Sequence, residues 1–153
     1  MIFIDRRDAG RQLAGQLADQ SAQPATAVFG LPRGGLVIAD EIATAYHLPL
    51  EAVICRKLPA PGNPEYAIGA IAENADPVLN EAALVYYGIE GEYVDHVVEE
   101  AHTLIKQSIL RWRSGHFLPE LRSIRAILVD DGAATGLTML AAIGLLRSLQ
   151  VQE

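Results

Sequence analysis

The 153-residue chain has a single cysteine, Cys55. One thiol excludes an internal disulfide and any zinc site built on several cysteines. Positive charge is scarce: 12 Lys and Arg stand against 19 Asp and Glu, a net charge of −7. That argues against nucleic acid as a partner, because neutralising phosphates needs a clustered basic surface. No apolar run reaches the ~18 residues of a membrane span. The N-terminal stretch MIFIDRRDAGRQLAG carries charge from Asp5 onward and has no apolar h-region, so it does not read as a signal peptide. What is present is a globular composition, 50% apolar and 20% charged, which excludes a disordered chain. The length predicts one domain over residues 1–153 with a core of its own. The expected location is cytoplasmic, with no membrane partner.

Periodicity organises the chain into alternating helices and apolar runs. Residues 8–20 predict a short helix capped by Asp8, with Leu13 and Leu17 on one face. Residues 21–26 predict a loop, and 25–31 a buried strand ending in Pro32-Arg33-Gly34-Gly35. Leu36, Ala39, Ala43 and Tyr46 predict a helix over 36–46, and 50–55 a second strand. This strand–helix–strand unit is the seed of a parallel sheet. Residues 56–66 hold three prolines and a glycine and predict a mobile loop. A small hairpin is expected from 67–72 and 77–79. The longest helix is expected over 94–113, with Gly115 ending it. A third strand over 124–129 leads to a loop over 130–138. A last helix over 137–149, apolar nearly all round, is expected to be buried.

The chemistry-bearing segment is Val129-Asp130-Asp131-Gly132-Ala133-Ala134-Thr135-Gly136-Leu137-Thr138. It is a buried strand, two carboxylates, a turn of small residues and a helix start. In an open α/β sheet, ligands sit beyond the carboxyl ends of the strands. The small turn lets backbone N–H groups approach an anion. The helix start adds its dipole, and Thr135 and Thr138 add hydroxyls. That is a site for one phosphate. The paired acids suit sugar hydroxyls or a hydrated Mg²⁺ instead. Together they describe a ribose 5-phosphate bearing a magnesium-bound group. A turn that merely caps a helix needs neither two acids nor both threonines. A phospho-receiver domain also ends its first strand in paired acids, but it needs them near the N-terminus.

Two further constellations lie at strand ends. Gly30-Leu31-Pro32-Arg33-Gly34-Gly35 is a second backbone anion cradle, now with a cation. Arg56 and Lys57 place two cations at the carboxyl end of the expected second strand, facing the same crevice. His47, His96, His102 and His116 lack metal-ligand spacing and read as surface residues. Tyr86, Tyr87 and Trp112 read as packing residues, and Cys55 as a small buried hydrophobe. Glu65 lies in the expected mobile loop with no spacing argument for a role.

The 129–138 stretch resembles the phosphoribosyl-pyrophosphate (PRPP) signature of type I phosphoribosyltransferases. With FIDRRDAGRQLA, LPRGGLVIA and RKLPAPGNPEYAIGA, the chain is similar to a bacterial subgroup without a settled acceptor. The resemblance spans most of residues 25–149. It implies an α/β fold with an open parallel sheet and flanking helices. It also implies transfer of ribose 5-phosphate from PRPP to an acceptor nitrogen of a nucleobase-like small molecule, with release of pyrophosphate. By the same resemblance, Asp130 and Asp131 hold the ribose hydroxyls and orient Mg²⁺, in part through water. Ala134, Thr135, Gly136, Leu137 and Thr138 hold the 5-phosphate. Arg33, Gly34, Gly35, Arg56 and Lys57 serve the pyrophosphate, and the loop starting at Arg56 closes over it. The family's pyrophosphate loop often carries a non-proline cis peptide, which falls here on Pro32–Arg33. Family members continue past the last helix, so this chain reads as C-terminally short, lacking the usual last strands, with Val151 beginning the next. An open sheet edge would then favour a homo-oligomer. The alternatives on the same fold are a non-catalytic sensing or regulatory module for PRPP or a nucleotide, and an RNA-binding regulator, against which the net charge of −7 argues.

Overall fold

Thr26–Gly30 forms β1, and all five of its residues are buried. The apolar run does not alternate because the strand is central in a parallel sheet. Leu50–Ala52 (β2) pairs on one side and Arg125–Val129 (β6) on the other, both parallel to β1. The strand order is β2-β1-β6, and the parallel direction of the strands is the one the strand–loop–helix grammar of the sequence predicts. The computed structural model describes residues 2–21 and 23–153. It divides into two compact units, residues 1–53, 119–132 and 146–153 in one, and 54–118 and 133–145 in the other.

In the first unit, Gly34–Tyr46 (α3) packs on the parallel sheet, and Arg6–Gln16 (α1) packs on α3. Val28, Ile38, Ala39, Ile42 and Val129 form the shared core, with Ala14 of α1 against it. Each fully buried large side chain contributes about 1.5–3 kcal/mol relative to exposure, so this core carries the unit. Arg7 and Arg11 both reach Glu41 across the two helices, Arg7 at 2.7 Å. These exposed pairs orient α1 more than they stabilise it. The cap of α1 is Asp5 rather than Asp8: the Asp5 side chain accepts from Asp8 N at 2.7 Å. Asp8 stands within the first turn, and its carboxylate accepts from Ile4 N and Gln12 Nε2. The Ile4 hydrogen bond, then that of Gln12, holds the Asp8 carboxyl below its usual range. A short helix, Ala18–Ser21 (α2), follows Leu17. The loop expected over 21–26 is seen in residues 23–25, and Ala22 lies outside the described residues. At the far end, Gln152 N donates to Ile124 O, and Ala126 N to Glu153 O, both at 2.8 Å, so the last residues run beside β6.

The second unit holds the largest departures from expectation. Residues 56–66 are not a loop. Cys55–Ala60 (β3) and Asn63–Ala72 (β4) form an antiparallel hairpin, with Val78–Leu79 (β5) beyond β4. Each proline sits where a strand tolerates one. Pro61 and Gly62, the latter at φ +69°, make the tight turn closed by Ala60 and Asn63. Pro59 lies at a register shift, and Pro64 falls in the stretch of β4 between the partners of Ala60 and Pro59. The small hairpin expected from 67–72 and 77–79 is present as β4–β5, paired Gly69 to Leu79. A helix that the sequence reading missed, Glu81–Tyr87 (α4), is capped by Asn80, whose side chain accepts from Ala83 N.

Gly91–Arg113 (α5) lies against the hairpin and buries Val97, Ala101, Ile105, Ser108 and Ile109. Ser114, in the left-handed region, caps it, one residue before Gly115. Leu137–Ser148 (α6) is not buried all round: Leu137, Ala141, Ala142, Leu145 and Leu146 are buried, but Leu140 is 53% exposed. Apolar side chains all round do not oblige a helix to be covered all round. Cys55 is half-buried, and Tyr86 stands in solvent rather than in the core. His47, His96 and His116 are exposed and His102 is half-buried.

Beneath α5, Arg113 pairs with Glu73 just after β4, with side-chain exposures of 6% and 2%. Removing one partner of so buried a pair strands the other charge in a poor solvent for it. Glu73→Ala is expected to lower unfolding free energy by about 3–5 kcal/mol, read by urea titration. A loss no larger than an exposed pair gives would show that Arg113 finds water. Asp8 gives a pH signature. Its native pKa is depressed, so its stabilisation is present above the unfolded carboxyl pKa and is lost as pH falls through the native one. Asp8→Asn should abolish that component of the acid-side slope, and an unchanged slope would assign it elsewhere.

Candidate functional site

The parallel pairing of β1 with β6 sets the geometry. Gly30 is level with Val129, and Leu31 N donates to Val129 O at 3.0 Å. The chain segments leaving the two strands therefore start side by side, at the carboxyl ends where α/β sheets bind ligands. One segment is Leu31-Pro32-Arg33, running into α3 at Gly34. The other is Asp130-Asp131. Two loops about a hundred residues apart in sequence thus become one site.

The fit between them requires glycine. A Cβ on Gly35 would lie 2.7 Å from Val129 O and 2.9 Å from Asp130 Cα, both backbone atoms. A Cβ on Gly34 would overlap the Asp131 carboxylate and approach Arg6 Nε. The start of α3 is therefore pressed against the paired acids. Arg33 occupies the N-cap position of α3, is exposed, and makes no side-chain cap. The first N–H groups of α3 have no acceptor from that cap and suit an anion. The Pro32–Arg33 peptide is cis, as the resemblance implies.

The carboxylates are held differently. Asp130 Oδ1 accepts from Asp131 N at 2.8 Å. Asp131 Oδ2 accepts from Arg6 Nε at 2.7 Å and pairs with Arg6 Nη2 at 2.6 Å. The sequence reading missed Arg6. A signal existed: a cation in the first turn of a helix opposes the macrodipole and so suggests a partner elsewhere.

The remaining candidates lie in the second unit. Ala134 and Thr135 are exposed, Gly136 and Thr138 half-buried, and Leu137 buried. Gly136 adopts φ +76°, which a residue with a side chain rarely takes, and launches α6. Thr135 Oγ1 accepts weakly from Leu137 N at 3.5 Å. Arg56 and Lys57 correct the expectation of two cations at the end of β2. They lie at the start of β3, where consecutive side chains leave opposite faces. Arg56 is half-buried and donates from Nη2 to Ser108 Oγ at 2.6 Å, while Lys57 is exposed. Glu65 is exposed on β4. Among the described residues, no group of three or more His, Cys, Asp or Glu side chains could hold a metal. No helix among them is long and apolar enough to cross a membrane.

Known proteins resemble this chain in sequence and in fold. A family model for the phosphoribosyl transferase domain matches residues 5–153. "Putative phosphoribosyl transferase Rv0571c" of Mycobacterium tuberculosis H37Rv is 40% identical over 147 residues, 96% of this chain and 33% of that protein. The counterpart from strain CDC 1551 gives the same figures. The chain thus spans about a third of the length of these relatives. Among solved structures, TT1426 from Thermus thermophilus superposes with a TM-score of 0.73 at 38% identity, over 99% of this chain and 73% of that one. The purine phosphoribosyltransferase of Pyrococcus horikoshii shares the fold, with a TM-score of 0.54 at 18% identity over 99% of this chain and 71% of that one.

Gly35→Ala tests the close approach. With backbone on both sides of the added methyl, overpacking should cost about 1–3 kcal/mol, read as a lowered melting temperature. Gly132→Ala, where a Cβ meets nothing within 4 Å, serves as the neutral control. Equal stability of the two variants would refute the contact.

Proposed function

The chain belongs to the phosphoribosyl transferase domain family, and from that membership we propose that it binds PRPP with Mg²⁺ and transfers ribose 5-phosphate to a ring nitrogen of a nucleobase. The observation that carries this reading is the convergence of Asp130 and Asp131 on the start of α3 at Gly34 and Gly35. It sets hydroxyl acceptors beside an anion cradle, the two requirements of a sugar that bears phosphate groups.

In the proposed reaction the bond from ribose carbon one to pyrophosphate breaks. The bond from that carbon to the acceptor nitrogen forms, and the nitrogen's proton leaves. The sugar passes through an oxocarbenium-like state, as in other glycosyl transfers. Asp130 and Asp131 accept hydrogen bonds from the ribose hydroxyls and offset the cationic character of the ring. The backbone N–H groups of Gly34 and Gly35, with the Arg33 guanidinium, hold the pyrophosphate. Lys57 is exposed on β3, whereas Arg56 leaves the opposite face and donates to Ser108 Oγ. Ala134, Thr135, Gly136, Leu137 and Thr138 hold the 5-phosphate through the loop backbone, the hydroxyls and the α6 dipole.

Two adjacent carboxylates are a donor set that suits Mg²⁺. That ion keeps several waters and takes most other ligands from substrate oxygens, so it needs no cage from the protein. When bound, it would neutralise charge on the departing pyrophosphate. A homo-oligomer in the cytoplasm belongs to the same reading.

PRPP with Mg²⁺ should raise the melting temperature by preferential binding to the folded state. The double variant Asp130→Asn with Asp131→Asn should lose most of that shift. Pyrophosphate release in the presence of a nucleobase panel tests turnover. Binding without release under every base would favour the sensing module. A double variant that binds PRPP as the parent does would overturn the carboxylate assignment.

A further inference from the structure

Arg6 is the residue of this site that neither its sequence motif nor the proposed reaction explains. Its guanidinium meets Asp131 through two nitrogens, at 2.7 and 2.6 Å, yet its side chain is 59% exposed. Its Nε lies 2.5 Å from where a Gly34 Cβ would be, so the cation stands at the very start of α3. A cation at a helix N-terminus is opposed by the macrodipole. Here Asp131 offsets that opposition while also being the carboxylate proposed for the ribose. Arg6 therefore holds one substrate contact and stands beside the cradle for another. Guanidinium is suited to forked binding of phosphate oxygens.

Building on the proposed PRPP reading, we propose that Arg6 is a pyrophosphate-binding residue that Asp131 holds in place until substrate arrives. The ribose hydroxyls and Arg6 compete for the same Asp131 oxygen. Pyrophosphate offers Arg6 a second anion at the α3 start, so its binding releases Asp131 to the sugar. The two halves of PRPP are thereby coupled through one ion pair. α1 would be kept in position without this contact, because Arg7 and Arg11 still reach Glu41.

Calorimetric titration of wild type, Arg6→Ala and Arg6→Lys tests this, each with pyrophosphate, ribose 5-phosphate and PRPP in the presence of Mg²⁺. Loss of a charge-assisted contact should weaken pyrophosphate binding by about ten- to a hundredfold in Arg6→Ala. Arg6→Lys, which keeps the charge but not the fork, should recover part of it. Ribose 5-phosphate should bind at least as tightly to Arg6→Ala as to wild type, because Asp131 is released. Thermal melts confirm that both variants fold, and the lysine form carries the test should the alanine form not. Unchanged pyrophosphate affinity in the variants, with PRPP bound by wild type, overturns the role of Arg6 and leaves the family reading standing. An equal loss for ribose 5-phosphate would overturn it too, by showing that Arg6 only positions Asp131. Wild type that binds neither pyrophosphate nor PRPP overturns both readings.

Discussion

Everything at the candidate site depends on one pairing. β1 and β6 run parallel and in register from Thr26 with Arg125 to Gly30 with Val129. Because the two strands end level, the turn after each opens at the same edge of the sheet. A shift by one residue would also send the strand's side chains to the opposite face, so the buried faces of Val28 and Val129 hold the register. The apolar core therefore decides where the polar site lies. Gly34 and Gly35 then let α3 start close enough to touch the acids.

The charged groups of the protein serve different ends according to burial. The Arg113–Glu73 pair is almost wholly buried and, among the described residues, leaves Glu73 Oε1 and two Arg113 nitrogens without a hydrogen-bond partner. Such a pair costs much to break but adds little over an apolar replacement, so it fixes one arrangement of α5 against β4 rather than adding stability. The pairs of Arg7 and Arg11 with Glu41 lie at the surface and are screened by solvent and salt. Arg6 with Asp131 falls between them. Its two side chains are 59% and 29% exposed, and its guanidinium stands at the start of α3.

Membership of the phosphoribosyl transferase domain family accounts for the order of the elements, and 38% identity to TT1426 with a TM-score of 0.73 shows how closely the backbone follows. The family does not by itself name an acceptor. The two mycobacterial relatives are about three times as long as the stretch they share with this chain, since 33% of each is matched.

The sequence by itself determined the parallel sheet and both strand-to-helix turns. Their signals are local: an apolar run of strand length, small residues where a backbone must approach closely, and helical periodicity directly after. It also marked Asp130, Asp131, Arg33, Gly34 and Gly35, because two loops of this kind follow expected parallel strands and support each other, although a Pro-Arg-Gly-Gly turn alone is more often only a turn. The hairpin of β3 and β4 was hidden, since Pro59, Pro61 and Pro64 break a strand on average, and only the partner strand shows where an N–H is not required. The cap at Asp5 was missed because Asp8 offers the same chemistry three residues on. What only the tertiary structure decided are the contacts across long separations. Arg6 meets Asp131 over 125 positions, Arg56 meets Ser108 over 52, and Arg113 meets Glu73 over 40. No periodicity or spacing carries such a pairing, because it depends on which helix face packs on which strand, and that is settled by burial of the whole core.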